Sequence, residues 1–313
     1  MGANGTTYLS IDGGGTRRRA RIEDENGRVL GEASSGPART RIGLEKARRS
    51  IMEITQAAAA QSGQAREDVT RTHAGIGLAG LRRRGAEAAF NEVSYPFASV
   101  AFISHGLAAC LGAHSGADGA IVVAGAGSVS VGLIDGCEIR VAGYGFTVSD
   151  ECSGADLGLQ VVRLALRTAD RRGELISLLS EALGAFDHDP EQAVAWSDEA
   201  RATDYAVFAP IVMRDANQGD PVGGRFVERA ADAIGDLLDL FLARGFDRLS
   251  ALGGFADDIT PWLTPDLRAR LRHPDAGALR VARGRFDLPK PGSSKLDRPK
   301  RETDHDQDSK FRV

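Results

Sequence analysis

The sequence has few cysteines, and their placement argues against two kinds of small scaffold. Its only cysteines among 313 residues are Cys110, Cys137 and Cys152, and none belongs to a CxxC pair. Such an odd and scattered set argues against a disulfide framework and against a zinc ribbon, and it is typical of proteins in the reducing cytoplasm.

Long apolar runs are also missing. No stretch approaches about 18 consecutive apolar residues, and the first residues lack the charged-then-apolar pattern of a signal peptide. We therefore expect a cytoplasmic protein with no membrane partner. Positive charge is not in excess either, because 39 Lys and Arg stand against 43 Asp and Glu, a net charge of -4. This balance argues against a nucleic-acid partner.

Lysine is nearly absent from the body of the chain and returns only at its end. Lys46 is the only lysine before residue 290, and four more follow, the first of them Lys290. From residue 287 onward the chain is charged, contains proline and has few apolar residues. Such a composition cannot bury enough apolar surface to fold alone. We expect residues 284–313 to form a disordered, charged tail.

Two common nucleotide-binding patterns are missing or incomplete. No GxxxxGK[ST] stretch occurs, which excludes a P-loop. Residues 75–80 read GIGLAG and match GxGxxG, but a dinucleotide site needs an acidic residue about 20 positions later. That region reads Val100-Ala101-Phe102, and the LRRRG that follows the motif is a poor helix start. We interpret residues 75–80 as a strand-to-loop segment.

The most informative feature present is a faint internal repeat. Residues 8–34 and residues 120–143 each predict a strand, a Gly-rich turn, a second strand, a hairpin and a third strand. The hairpins are Asn26-Gly27 and Asp135-Gly136. These dipeptides favour two-residue turns, because both central positions need positive φ.

Helices and further strands follow each copy of the repeat. Residues 44–61 and 225–242 carry apolar side chains at helical spacing, the second with Phe226, Ala230, Ile234, Leu237 and Phe241. Strand candidates follow at residues 73–78, 99–103 and 249–252. The order predicts an α/β architecture of two similar domains with a central cleft.

A glycine-rich turn lies at the same place in each copy. Consecutive glycines let backbone N–H groups approach phosphate oxygens, and two such turns facing across a cleft would clamp one polyphosphate. The alternative for either turn alone is a plain hairpin. Asp12 ends a strand and suits Mg²⁺, which takes few carboxylates and keeps several waters. The turns are Asp12-Gly13-Gly14-Gly15-Thr16 and Gly125-Ala126-Gly127-Ser128.

Two later segments add candidates whose roles stay open. Asp150 and Glu151 precede a predicted helix, so they either cap that helix or bind sugar hydroxyls at the cleft. Gly253 and Gly254 follow a predicted strand. They either let an adenine or ribose lie against bare backbone or form a tight strand-to-helix turn.

Taken together, these segments resemble the glucosamine and N-acetylglucosamine kinase branch of the BadF/BadG/BcrA/BcrD-type ATPase family. The stretches IDGGGT, GIGLAGL, ACLGAH, VSDECSG and ALGGF follow in the family's order between residues 7 and 283. The resemblance implies a duplicated ribonuclease-H-like (actin-like) fold with domains at residues 1–115 and 116–283. It implies ATP-dependent phosphorylation of a small amino sugar at its 6-hydroxyl, with Mg²⁺ as a cofactor. Whether the protein forms a homodimer stays open.

The resemblance also assigns roles to individual positions, and several of them depart from the family pattern. Ala126 replaces a Thr, and Cys152 replaces a Gly. The resemblance places five residues at the sugar, of which Arg39 replaces an Asn and Tyr144 replaces a Trp. The five are Arg39, Ser104, Tyr144, Asp150 and Glu151.

The departure with the largest chemical consequence is His105, which stands where the family has its catalytic Asp, the base for the accepting hydroxyl. A neutral imidazole can accept a proton near neutral pH, but it has one acceptor atom against two carboxylate oxygens. His105 is therefore a substitute base, the mark of an inactive sugar- or nucleotide-binding sensor, or a residue lining a vacated pocket.

One further branch of the same family consists of ATPases that drive electron transfer through an iron–sulfur cluster. Such a cluster needs closely placed cysteines. The three cysteines of this chain are scattered along the sequence, so this is the weakest alternative.

Overall fold

A computed structural model describes residues 5–13, 18–35, 43–62 and 66–272 of the chain. Gly14, Gly15, Thr16, Arg39 and the predicted tail at 284–313 lie outside these residues. None of the helices within the described ranges is both long and apolar enough to cross a membrane.

Two sheets organise the described part of the chain. The first has the strand order β3-β2-β1-β4-β5, and the second has the order β8-β7-β6-β9. The strands of the first sheet are β1 (Thr7–Gly13), β2 (Arg18–Asp24), β3 (Val29–Ser35), β4 (Thr72–Leu78) and β5 (Ser99–Ser104). Those of the second are β6 (Gly119–Ala124), β7 (Ser128–Ile134), β8 (Cys137–Val141) and β9 (Leu249–Leu252).

The two sheets share one topology. In each, three antiparallel strands are followed by a parallel strand that pairs with the first, β4 with β1 and β9 with β6. The internal repeat and the α/β architecture predicted from sequence are therefore confirmed. Residues 75–80 form the end of β4 and the turn after it, as their interpretation as a strand-to-loop segment predicted.

The helices that the sequence predicted at 44–61, at 225–242 and after Glu151 are confirmed, and several further helices are present. In the described residues the helices are α1 (Leu44–Ser62), α2 (Ala86–Asn91), α3 (His105–Ala113), α4 (Gly154–Ala169), α5 (Ser177–Gly184), α6 (Pro190–Glu199), α7 (Ala202–Tyr205), α8 (Ala209–Asn217), α9 (Pro221–Ala243), α10 (Ala256–Ile259) and α11 (Pro265–Arg270). Short 3₁₀ turns lie at Arg66–Arg71, Ala206–Phe208 and Thr260–Trp262.

The buried face of α9 differs from its prediction at two positions. Phe226 is only partly buried, and its neighbour Val227 is fully buried. Ala230, Ile234 and Phe241 are buried, but Leu237 is only partly buried, and Leu238 takes the fully buried place. Positions 237 and 238 both fit helical spacing between 234 and 241, so the sequence period alone does not choose between them.

The two hairpins also differ. Asp135 and Gly136 both have positive φ, 51° and 69°, as a two-residue turn requires. In the first hairpin only Gly27 has positive φ, 88°, so the predicted two-residue turn is wrong there. The Oδ1 of Asp24 accepts the N–H groups of Asn26 and Arg28, each at 2.9 Å. An Asp side chain that bonds its own turn stabilises a longer connection.

Helix α3 lies between the two sheets and joins them. Its apolar side chains, among them Leu107 and Leu111, form one cluster with Ile121 of β6 and Val131 of β7. Two glycines permit this close packing. A Cβ on Gly77 of β4 would lie 2.7 Å from the Cβ of Ala108, and a Cβ on Gly106 would lie 2.6 Å from Val131 Cγ2.

We predict that Gly106→Ala destabilises the protein by about 1–3 kcal/mol, the usual cost of overpacking a core. Gly224→Ala is the matched control, because Gly224 is also helical and has open space around it. It should be neutral or raise the melting temperature, since Ala favours helix over Gly by about 0.5–1 kcal/mol. Thermal unfolding of both variants tests this packing, and an unchanged melting temperature for Gly106→Ala would contradict it.

Candidate active site

Asp12 and His105 meet at one edge of the first sheet. Strands β1, β4 and β5 are parallel, so their carboxyl ends lie together, with Asp12 next to last in β1 and His105 immediately after β5. Asp12 Oδ1 and His105 Nδ1 lie 2.6 Å apart. The side chains keep 45% and 26% of their surface exposed, so both are open to a ligand in the cleft.

The contact with Asp12 changes the acidity of His105. Burial of the imidazole lowers its pKa, but the hydrogen bond to Asp12 and the negative charge of that carboxylate outweigh burial and raise the pKa above its ordinary value. The protonated ring therefore forms an ion pair with Asp12 up to the raised pKa. Above that pKa, the neutral ring can donate its Nδ1–H to the carboxylate and keep Nε2 as an acceptor.

Asp12 suits a hydrated magnesium ion. Mg²⁺ in phosphoryl-transfer sites is usually held by one or two carboxylates together with waters and substrate phosphates. The Asp12 carboxylate is half-exposed at the end of β1, directly before the first glycine-rich turn. Within the described residues no three His, Cys, Asp or Glu side chains gather into a metal cluster.

The second glycine-rich turn is held by the start of α4. The N–H groups of Gly154 and Ala155 donate to the carbonyls of Gly125 and Ala126, at 2.8 and 3.3 Å. A trans peptide places its C=O and N–H on opposite sides. The N–H groups of Ala126 and Gly127 therefore point away from the helix, which is the arrangement that an anion-binding turn needs.

Asp150 and Glu151 do not cap α4, which corrects one of the two roles considered for them. The N-cap is Ser153, whose Oγ accepts the N–H of Asp156 at 3.1 Å. Glu151 is exposed, and its carbonyl accepts the hydroxyl of Ser128 at 2.7 Å. The sugar-binding role of both carboxylates stays a prediction.

The Asp150 carboxylate ties the second turn to the loop that follows β8. It accepts the N–H of Gly145 at 3.2 Å, and the N–H groups of Ser128 and Phe146 also bond to it. A Cβ on Gly127 would lie 2.7 Å from its Oδ2. Burial raises the pKa of Asp150, and the backbone hydrogen bonds that lower it do not cancel this effect.

Gly253 lies against the end of β6, beside the second turn. Its φ is 105°, and any Cβ there would overlap the carbonyl oxygen of Ala124. The N–H of Phe255 donates to the same oxygen at 3.1 Å. The structure thus brings Gly253 next to the turn at Gly125–Ser128, while Gly254 has open space around its Cα.

A cavity of about 340 Å³ opens between the two sheets beside His105. Ser104, Tyr144 and Gly145 line it, together with the segment Leu78–Arg83 after β4. Tyr144 is 76% exposed. Three predicted site residues, Ser104, His105 and Tyr144, are therefore brought to one cavity.

Sequence analysis missed a buried carboxylate that links the two sides of this cavity. Glu138 of β8 accepts a hydrogen bond from Ser104 Oγ at 3.0 Å and pairs with Arg82 at 3.1 Å. Ser104 Oγ also accepts the N–H of Leu107 as the N-cap of α3. Because the hydroxyl proton of Ser104 goes to Glu138, only an acceptor lone pair remains for a sugar.

A signal for the missed residues was present in the sequence. Glu138 and Arg140 are two positions apart in β8, so both point to the same face of the sheet. Two charged side chains on one face of a strand in an α/β core indicate a polar cleft rather than a buried layer. Arg140 lines the cavity beside Arg82 and Arg83.

The raised pKa of Asp150 leads to a prediction with opposite effects on stability and binding. A carboxyl group whose pKa is raised by folding stabilises the folded state fully at a pH below its pKa in the unfolded chain, about 3.9. This stabilisation is lost as the pH rises through the pKa of the folded state. At neutral pH the charge of Asp150 therefore costs stability. We expect Asp150→Asn to keep or raise the melting temperature at pH 7, because Asn also tolerates the positive φ of 73°. The KM for the sugar should rise about tenfold or more, from loss of a charge-assisted hydrogen bond.

Asp187→Asn is the control for this variant. Asp187 also has positive φ, 52°, and is exposed outside the cavity. It should change neither the melting temperature nor the KM. An Asp150→Asn variant with a lower melting temperature and an unchanged KM would show that the carboxylate serves only to fold the loop.

The burial of two of the three cysteines argues against the iron–sulfur alternative, and this burial can be tested directly. Cys110 and Cys152 are buried, and burial raises the pKa of each thiol to about 12, whereas Cys137 is half-buried in β8. At pH 8, well below that pKa, both buried thiols stay protonated and shielded. Iodoacetamide should therefore modify only Cys137 in the native protein and all three after denaturation, as read by mass spectrometry. Rapid native modification of Cys110 or Cys152 would contradict this.

The proteins that this chain is similar to include kinases of amino sugars. Glucosamine kinase GspK of Vibrio cholerae is 36% identical over 275 residues, which cover 88% of this chain and 94% of that protein. The N-acetylmuramic acid/N-acetylglucosamine kinase of Clostridium acetobutylicum is 25% identical and covers 71% of this chain and 75% of that protein. The solved structure of a protein assigned as an N-acetylglucosamine kinase, from Chromobacterium violaceum, aligns with a TM-score of 0.83 at 27% identity.

The alignment covers 88% of this chain and 97% of the Chromobacterium violaceum chain. It confirms the predicted duplicated ribonuclease-H-like (actin-like) fold. The BadF/BadG/BcrA/BcrD ATPase family matches residues 9–267. This chain therefore belongs to the BadF/BadG/BcrA/BcrD ATPase family.

Proposed function

We propose that this protein is an amino-sugar kinase that transfers the γ-phosphoryl group of ATP to the 6-hydroxyl of glucosamine or a glucosamine derivative. The observation that carries the proposal is the contact between Asp12 and His105, the second of which lines the cavity. Relatives named glucosamine kinase and N-acetylmuramic acid/N-acetylglucosamine kinase support the substrate class.

His105 has the geometry of a general base. Donation of Nδ1–H to Asp12 fixes the tautomer of the neutral ring and leaves Nε2 free to accept the proton of a sugar hydroxyl. The same arrangement orients the imidazole in Ser-His-Asp triads. His105 thus takes over the proton-accepting role that the resemblance assigns to an Asp at this position, and Asp12 positions it.

Nucleotide binding is proposed for the two glycine-rich turns. The N–H groups of Ala126 and Gly127 point away from α4, and Gly253 leaves bare backbone beside them. Gly13 ends β1 at the first turn, where its carbonyl accepts the N–H of Ala79 at 2.9 Å. Mg²⁺ bound at Asp12 would neutralise phosphate charge. Phosphoryl transfer depends mainly on such positioning and charge neutralisation.

The sensor alternative makes a different prediction for the same pair. A histidine that only lines an emptied pocket has no need of a fixed tautomer, so the 2.6 Å contact with Asp12 favours the kinase. A kinase and a sensor would both bind ligand, so only a measurement of turnover distinguishes the two functions.

We predict that the wild type phosphorylates glucosamine or N-acetylglucosamine in a coupled ADP assay, and that His105→Asn lowers kcat by about 10²–10⁴-fold, the usual contribution of a general base. Asn keeps an N–H near the Nδ1 position for Asp12 but has no atom in place of Nε2. His105→Asp is the matched comparison, because a carboxylate can still accept a proton, and it should retain more activity than His105→Asn.

Calorimetry with a non-hydrolysable ATP analogue supplies the control, since both variants should bind it as the wild type does. An Asn variant within about twofold of wild type would exclude His105 as the base. A wild type that binds the analogue and phosphorylates none of the amino sugars would establish the sensor instead.

A further inference from the structure

The lining of the cavity has an unusual balance of charge. Three arginines line it, Arg82, Arg83 and Arg140, and none of the described residues that line it is an Asp or Glu. A cavity built for a neutral sugar has no need of several guanidinium groups, which bind carboxylates and phosphates with paired hydrogen bonds.

Arg82 is already neutralised, but the other two arginines are not. Arg82 pairs with the buried Glu138 at 3.1 Å. Within the described chain no carboxylate pairs with Arg83, whose side chain is exposed at the rim. Arg140 donates one N–H to the carbonyl of Gly143, and its guanidinium carbon lies 5.6 Å from the ring centroid of Tyr144. Its buried Nε–H has no hydrogen-bond partner among the described residues.

The cavity lies on the acceptor side of the site. Its lining includes Ser104 and His105, where the accepting hydroxyl would lie, but neither Gly13 nor any residue of the turn Gly125–Ser128. The unpaired guanidinium groups therefore face the second substrate rather than the phosphates of the nucleotide. A buried donor without a partner is costly to leave unsatisfied, so the bound ligand is the natural source of its acceptor.

We propose that the preferred acceptor is an acidic amino sugar, one whose ring carries a carboxylate or a phosphate that Arg83 and Arg140 bind. This inference rests on the proposed kinase function and deepens it by naming the charge of the substrate. An oxyanion between the two guanidinium groups gains charge-assisted hydrogen bonds, whereas the ammonium group of glucosamine meets charge of its own sign.

The test compares four acceptors at one ionic strength, because salt screens exposed charges. They are N-acetylglucosamine, which is neutral, N-acetylmuramic acid, which carries a carboxylate, N-acetylglucosamine 1-phosphate, and glucosamine, which carries an amine. We expect at least one acidic sugar to exceed N-acetylglucosamine in kcat/KM by about tenfold or more. Which acidic sugar is preferred distinguishes a carboxylate from a phosphate as the source of the oxyanion.

Substitutions of single arginines test whether the preference for an acidic sugar comes from the residues that line the cavity. Arg83→Gln should reduce the ratio of acidic to neutral sugar by about tenfold, and Arg140→Gln should do the same. Arg84→Gln is the control, because Arg84 is exposed in the same segment but does not line the cavity, and it should keep the wild-type ratio. Arg83 is exposed, so its variant should fold even if Arg140→Gln does not.

Calorimetry with the four sugars, in the presence of the ATP analogue, separates this inference from the proposed function. Tighter binding of an acidic sugar without turnover would refute the kinase and keep the charge preference. Turnover of N-acetylglucosamine with no preference for either acidic sugar would keep the kinase and overturn the inference. Equal loss of preference in Arg83→Gln and Arg84→Gln would also overturn it, because the effect would then come from surface charge in general.

Discussion

The packing of helix α3 between the two sheets is the contact on which the site depends. Gly77 and Gly106 have no side chains where the helix crosses β4 and β7, so the helix approaches both sheets closely. Because α3 begins at His105, the same packing sets the distance between the imidazole and the Asp12 carboxylate. A side chain at either glycine would move the helix, and the pair at its first residue would separate.

A second set of contacts links the glycine-rich turn at Gly125–Ser128 to the lining of the cavity. Helix α4 holds the carbonyls of the second turn, and the Asp150 carboxylate reaches from that turn to the loop that carries Tyr144. Glu138 then joins that side to Ser104 at the start of α3. Any motion of one sheet against the other therefore has to carry the turn, the loop and His105 together.

The electrostatics of the cleft differ on its two sides. Near Asp12, one carboxylate contacts an imidazole and would also hold the proposed metal. Around the cavity, arginine exceeds carboxylate, and the buried Glu138 neutralises only Arg82. A guanidinium group stays charged at any working pH, so the excess positive charge is permanent. The ligand is the component that can balance it.

The sequence by itself determined the elements and their order. The strand–turn–strand–hairpin–strand repeat, the helices predicted at 44–61 and 225–242 and the glycine-rich turn at Gly125–Ser128 follow from local periodicity and turn chemistry, which act over a few residues. Local rules were less accurate for individual turns. The first hairpin is longer than Asn26-Gly27 predicted, because an Asp side chain outside the dipeptide supports it. Only the tertiary structure decided that His105 meets Asp12, since 93 residues separate them. It also decided that Glu138 of one sheet accepts the hydroxyl of Ser104 in the other, because the charged positions in β8 do not specify their partner across the two sheets.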